Sequence, residues 1–332
     1  MIISWNVTKE CNLHCEHCYR SSGPEAKQKD ELNTREGKKL LSEIAKAGFR
    51  IIIFSGGEPL LRDDIFELVT HAREQNLRPV FGSNGTLITP EIAHHLKEVN
   101  TAAVGISLDS IEQEKHDRFR GVQGSWEKAV RGIKNCREAG IPVQINSTIM
   151  NYNYQEIDKI IDLAVKLDVR SYSPFFLVPT GRGQEIEKDS VTPDRYHQLI
   201  EYIMHKRTEV DLEIKPTCAP QFLVVAEQMG LDLRYTRGCL AGISYCCILP
   251  DGRVDVCPYL SLQAGHVREK PFDEIWDNSE VFAKLRSENY SGNCGRCDHT
   301  DICGGCRARA FYYQDGDFMA GDSWCQVGDY SG

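Results

Sequence analysis

Ile2-Ile3-Ser4-Trp5-Asn6-Val7-Thr8, followed three residues on by Cys11-Asn12-Leu13-His14-Cys15-Glu16-His17-Cys18, decides how the rest of the chain is read. The first run reads as a buried strand. It ends at a loop that carries three thiols spaced C-x3-C-x2-C, with Tyr19 directly after the last. Thiolates select zinc, copper(I) or iron–sulfur clusters. Three cysteines leave a [4Fe–4S] cluster with one iron that the protein does not hold, open to a small molecule. A structural zinc site wants four ligands, and His14 or His17 would supply the fourth.

Working outward, the chain alternates strand and helix patterns. Arg50–Phe54, Arg78–Ser83, Thr101–Asp109, Ile141–Thr148 and about Arg170–Leu177 read as strands two to six. Between them lie helical repeats such as Leu40, Leu41, Ile44 and Ala47, entered at Asn33-Thr34 and ended by Gly48. A helix from Pro193 closes the series. Six such units with short connections imply a parallel sheet curled as a barrel or partial barrel. Active residues of such folds gather on the loops at the C-terminal strand ends. Ser55-Gly56-Gly57-Glu58-Pro59, Asn84-Gly85-Thr86, Ser107 with Asp109, and Val178-Pro179-Thr180-Gly181-Arg182-Gly183 all fall there. The expected division is a barrel over residues 1–207, a bridge over 208–237, and a small cysteine-rich domain over 238–332 held together by metal rather than by a large apolar core.

The totals narrow the class. The chain has 332 residues, 41% hydrophobic and 26% charged, with a formal net charge of -9. That charge disfavours a nucleic-acid partner. No apolar run approaches the roughly 18 residues of a membrane span, and no signal-peptide pattern opens the chain. Of fourteen cysteines, three sit in the first loop and nine lie from Cys239 onward. Clustering at C-x2-C spacing without a secretory signal favours metal sites over disulfides, and with them a reducing, anaerobic cytoplasm. Cys136, on a helix, reads as a plain core residue.

Cys11-x3-Cys15-x2-Cys18 with Tyr19, and Gly56-Gly57-Glu58-Pro59 after strand two, resemble the two hallmarks of the radical S-adenosylmethionine (SAM) superfamily. The resemblance implies a partial (β/α)6 TIM-like barrel in which Cys11, Cys15 and Cys18 hold a [4Fe–4S] cluster. SAM would chelate the open iron and be cleaved to a 5′-deoxyadenosyl radical. Gly56, Gly57 and Glu58 would meet its amine. Ser107, Asp109 and Asn84 would meet its ribose and methionine parts, strand-end turn capping being the alternative for these three.

Cys239, Cys257, Cys294, Cys297, Cys303, Cys306 and Cys325, with Pro250-Asp251-Gly252-Arg253-Val254 leading into Cys257, resemble the SPASM extension of radical SAM maturases. That resemblance implies one or two auxiliary [4Fe–4S] clusters. Cys294, Cys297, Cys303 and Cys325 would hold one. Cys239, Cys257 and Cys306 would hold another, with Cys246 or Cys247 as a possible fourth ligand and Cys218 as a further candidate. A zinc ribbon, or one cluster with spare thiols, is the alternative. The x2 spacing of Cys303 and Cys306 departs from the familiar x3. Phe176 and Arg182, with Gly238–Gly242 and Cys303–Ala310, are most similar to the tetrapyrrole-modifying branch of the superfamily. A flat macrocycle with propionates wants aromatic faces and cations, for which Arg182, Arg307 and Arg309 are candidates. The resemblance then implies decarboxylation of iron-coproporphyrin III propionates to vinyls as in haem synthesis, with didecarboxysiroheme deacetylation or peptide maturation as alternatives. It implies a reductant such as ferredoxin or flavodoxin.

Overall fold

The strand–helix units form where the hydrophobic pattern places them. In chain order they are β1 (Ile2–Asn6), α1 (Thr34–Lys46), β2 (Ile51–Ser55), α2 (Ile65–Glu74), β3 (Arg78–Ser83), α3 (Pro90–Glu98) and β4 (Ala103–Ser107). Then come α4 (Gln113–Arg120), α5 (Ser125–Glu138), β5 (Val143–Ile149), α6 (Ile157–Lys166), β6 (Ser171–Phe176) and α7 (Pro193–Glu209). Helix α1 shows the local logic. The Asn33 side chain accepts from Glu36 N–H (3.1 Å), and Glu36 Oε2 accepts from Asn33 N–H (2.9 Å), a reciprocal cap. Leu40, Leu41 and Ile44 on its inner stripe are buried, each contributing roughly 1.5–3 kcal/mol. The structure is a computed structural model and describes residues 1–327.

The remaining elements are β7 (Glu213–Ile214), α8 (Phe222–Gln228), β8 (Tyr245–Ile248), β9 (Arg253–Cys257), β10 (Leu260–His266), α9 (Phe272–Asn278) and α10 (Glu280–Arg286). Three short helices follow: α11 (Gly292–Gly295), α12 (Thr300–Cys303) and α13 (Arg307–Tyr313). One ten-stranded sheet runs β10-β9-β8-β1-β2-β3-β4-β5-β6-β7. Strands β1 to β7 are parallel to their neighbours. β8 adds to β1 in parallel, and β9 and β10 continue antiparallel. The cysteine-rich end therefore does not stand apart from the barrel: it extends the barrel's own sheet. It also packs apolar side chains of its own, Phe272 and Trp276 lying edge-on to Phe49. Among the described residues, no helix is long and apolar enough to cross a membrane.

Alternation along each strand separates two faces. On β5, Val143, Ile145, Ser147 and Ile149 are buried towards the helices, while Gln144, Asn146 and Thr148 are partly exposed on the concave side. Register carries that concave face across the sheet: Asn6 beside Ser55, then Gly82, Gly105, Gln144, Ser171 and Glu213 in one row. In this row small and polar residues stand in place of a bulky branched layer, while the row before it still holds Ile53 and Val80.

Candidate active site

The cysteine loop lies across the C-terminal strand ends and is held there by its neighbours' backbones. Gly57 and Glu58 N–H donate to the carbonyls of Thr8 and Glu10, both at 2.8 Å. His14 and Glu16 N–H donate to the carbonyls of Arg120 and Phe119, at 3.2 and 3.0 Å. Arg182 N–H donates to the Cys18 carbonyl at 3.1 Å. Glycine is required at two of these approaches. A Cβ on Gly57 would sit 1.9 Å from the Glu10 carbonyl oxygen, and one on Gly181 2.4 Å from that of Cys18.

Cys11, Cys15 and Cys18 lie within one another's electrostatic field. Burial, then Glu58, push the Cys11 thiol up to about 12. Sulfurs so dry and so close ionise together only beside a cation, and a thiolate-held cluster supplies one. Leu13 and Ser22 N–H donate to Cys11 and Cys18 Sγ at 3.4 and 3.3 Å. Arg120 is buried with Nη1 3.7 Å from Cys15 Sγ.

The other expected residues take different positions around this loop. Glu58 is fully buried and accepts from Ser83 Oγ and Asn84 N–H, each at 2.8 Å. Desolvation pushes its carboxyl up to about 7, against those hydrogen bonds. It therefore ionises near neutrality, where a cation beside it would hold the charge. Asn84 Nδ2 donates to Asn12 Oδ1 at 2.9 Å and lies 3.8 Å from Cys11 Sγ. Ser107 is partly exposed on the concave wall. Asp109 is fully buried. It accepts from Arg120 Nε at 2.6 Å and from Thr148 N–H at 2.9 Å, so it reaches the cysteine loop through Arg120.

Three polar atoms near the loop, His17 Nδ1, Thr180 Oγ1 and Arg182 Nη2, are buried without a hydrogen-bond partner. Buried orphans are rare and call for a missing partner. Together with three neighbouring thiols, two of them buried, they fit a cluster and a polar small molecule bound at the loop.

The later cysteines fall into two groups. Cys218 feels the thiols of Cys306, Cys257 and Cys239, and Cys257 and Cys306 feel Cys239 in turn. Cys218 follows β7 and Cys257 ends β9, so this group joins the two ends of the curled sheet. Cys247 faces Arg20 and Asn6, and Cys246 is buried beside Arg286. In the second group Cys303 feels Cys325 and Cys294. Backbone N–H groups of His299, Gly305 and Asp322 donate to Cys297, Cys303 and Cys294 Sγ at 3.4, 3.5 and 3.4 Å. Amide donors on sulfur suit thiolates that hold a cluster and tune its potential. Among the described residues, no three His, Cys, Asp or Glu groups converge closely enough to hold a single metal ion.

Several expectations about substrate contacts change. Phe176 is buried on the helix side, edge-on to Tyr196. The strand period puts Phe175 on the concave wall instead, a one-residue shift that aromatic content could not reveal. Arg182 directs Nε to the Cys15 carbonyl at 2.8 Å. Arg307 and Arg309 are 1% and 0% exposed. Arg307 Nη2 is 3.2 Å from Cys294 Sγ, and Arg309 meets Asp322 at 3.4 Å, so neither is a surface or substrate-facing cation. Cys136 is buried on α5, as its helical position suggested. A groove of about 760 Å³ lined by Arg137, Asp168, Arg170 and Arg207 lies at the opposite, N-terminal strand ends, away from the thiol-bearing loops.

Comparison with known proteins agrees with this geometry. Residues 5–164 match the radical SAM superfamily, and residues 239–298 match the SPASM iron–sulfur cluster-binding domain. An AdoMet-dependent heme synthase of Methanosarcina barkeri is 40% identical over 98% of this chain and 95% of its own length. An Fe-coproporphyrin III synthase of the same organism is 34% identical over 98% and 88%. The mycofactocin maturase MftC of Mycobacterium tuberculosis is 34% identical over 93% and 79%. Among solved structures, SuiB of Streptococcus suis bound to S-adenosylmethionine superposes with a TM-score of 0.80 at 18% identity, over 98% of this chain and 77% of that one.

Proposed function

This chain belongs to the radical SAM superfamily and is an enzyme with [4Fe–4S] clusters and SAM as cofactors, and from that premise we propose that it converts propionates of iron-coproporphyrin III to vinyl groups in haem synthesis. The observation that carries the reading is similarity along nearly the whole length to an AdoMet-dependent heme synthase, higher than to the mycofactocin maturase. A row of glycines and small polar residues across the concave wall supports it, because a wide, flat substrate needs open space beneath the cysteine loop. The second domain's thiols support it as well, because the chemistry leaves an electron over. Each propionate loses a β-hydrogen atom, carbon dioxide and one electron, and its two remaining carbons become the vinyl.

When bound, the first cluster supplies the electron that cleaves SAM to methionine and a hydrogen-abstracting 5′-deoxyadenosyl radical, and the C-terminal clusters supply an acceptor for the surplus electron. Cys11, Cys15 and Cys18 would hold the first cluster. Gly56 and Gly57 would bring the backbone close to the SAM amine, and Glu58 would balance its charge. Asn84 and Ser107 would meet its remaining polar groups, with Asp109 acting through Arg120. Cys218, Cys239, Cys257 and Cys306 would form one auxiliary ligand set, and Cys294, Cys297, Cys303 and Cys325 the other. The barrel would span residues 1–207, the bridge 208–237 and the SPASM-like domain 238–332. A cytoplasmic setting with ferredoxin or flavodoxin as reductant suits oxygen-sensitive clusters.

The test is anaerobic incubation of reconstituted protein with SAM, reductant and iron-coproporphyrin III, followed by mass spectrometry. Vinyl products are expected. SAM cleavage with the porphyrin unchanged, or turnover of didecarboxysiroheme alone, would overturn the step.

A further inference from the structure

Among the described residues, several charges on the concave wall pair within the protein. Glu213 is met by Arg234 and Tyr235. Arg253 and Asp255 pair at 2.9 Å, and Arg20 lies 3.7 Å from Asp255. Lys215 continues β7 two residues beyond Glu213. Its backbone N–H donates to the Tyr172 carbonyl at 3.0 Å, which places it beside Ser173 on the concave side. Its ammonium lies 4.6 Å from the Tyr235 ring centre. Among the described residues, no carboxylate oxygen comes within 4 Å of it; burial pulls its pKa below the ordinary lysine value, while the Glu213 carboxylate, itself bound by Arg234 and Tyr235, acts on it only from farther off and Arg234 opposes that effect. A desolvated cation with no carboxylate in contact is costly, and a ligand carboxylate repays that cost with a charge-assisted hydrogen bond.

The surroundings suit such a ligand. Ser173 and Thr217 hydroxyls meet at 2.9 Å next to Lys215. Phe175, paired with Thr217, turns a partly exposed ring to the same wall. Cys218 follows at once and feels the other thiols of its group. Lys215 is thus on the concave side of the same segment that, three residues on, supplies Cys218 to the group of thiols proposed to take up the electron.

We propose that Lys215 is the anchor for a carboxylate of the substrate, with the Phe175 ring against the substrate's apolar body. This rests on the reading that the substrate is a propionate-bearing tetrapyrrole, and it assigns to β7 the recognition expected of Arg182.

The test is equilibrium binding of metal-free coproporphyrin III, followed by fluorescence anisotropy, to cluster-reconstituted holoenzyme. The proteins are wild type, Lys215→Met and Lys215→Arg. Lys215→Met loses one charge-assisted hydrogen bond and should bind about tenfold or more weakly. Lys215→Arg should recover most of the affinity, and the wild-type affinity should fall with salt more steeply than that of Lys215→Met. Iron content and SAM binding should match wild type in both variants, which separates a lost contact from a damaged fold. Equal porphyrin affinity in wild type and Lys215→Met overturns the anchor and leaves the tetrapyrrole reading standing. A wild type that does not bind the porphyrin overturns both.

Discussion

Arg120 and Arg307 each bring a guanidinium to a cysteine sulfur, and they differ in what balances the charge. Asp109 lies 2.6 Å from Arg120. Arg307 instead has the Phe318 and Ala320 carbonyls at 3.0 and 2.8 Å and the Tyr290 ring at 4.2 Å. Among the described residues, no carboxylate pairs with it. A buried cation that no carboxylate contacts stabilises the more negative, reduced state of whatever the adjacent sulfur holds. Replacing Arg307 by Leu is expected to lower the midpoint potential of the cluster bearing Cys294 by at least a tenfold change in equilibrium, about 59 mV for one electron. Arg307→Lys should shift it less. A redox titration followed by electron paramagnetic resonance reads both; an unchanged potential in Arg307→Leu would contradict the charge argument. At this scale the sequence was a partial guide. It marked Arg307 as distinctive, but only burial shows that the side chain turns towards sulfur and away from substrate.

At the scale of elements, the loop after β2 explains its two glycines by sterics. The Gly56-Gly57 turn is pressed against the backbone of residues 8–10, and a Gly57 side chain would overlap the Glu10 carbonyl. Gly57→Ala is therefore expected to displace the cysteine loop while the strands persist, since overpacking costs roughly 1–3 kcal/mol and more where backbone must move. Iron retained after reconstitution should fall well below wild type, with the far-ultraviolet circular dichroism little changed. Wild-type iron content in Gly57→Ala would show that the loop tolerates the shift. Strand and helix positions were legible because period and caps are local: Asn33 and Glu36 cap α1 where the pattern starts it. The facing of individual side chains on β6 was not, because Pro174-Phe175-Phe176 offers no polar alternation to set the register.

For the whole molecule, the decisive feature is how a curled sheet with β7 and β10 at its edges is closed. Cys218 after β7 and Cys257 at the end of β9 belong to one thiol group, so metal there would tie the two ends of the sheet together. Metal-binding energy is then folding energy. Cys218→Ala is expected to lose about four iron per chain and to melt several degrees lower than wild type. Cys246→Ala, at a thiol buried beside Arg286, should keep its iron. Equal iron in wild type and Cys218→Ala would remove Cys218 from the ligand set. The sequence by itself determined the alternating α/β architecture, the three-cysteine loop and the glycine turn that meets it, because each depends on residues close together in the chain. It also marked the C-terminal cysteines by their spacing. Only the tertiary structure decided that β8 to β10 join the barrel's sheet, that Cys218 stands with Cys239, Cys257 and Cys306, and that no carboxylate among the described residues contacts Lys215. Those facts depend on which distant segments meet, and pairing between distant strands leaves no mark in the local pattern of either.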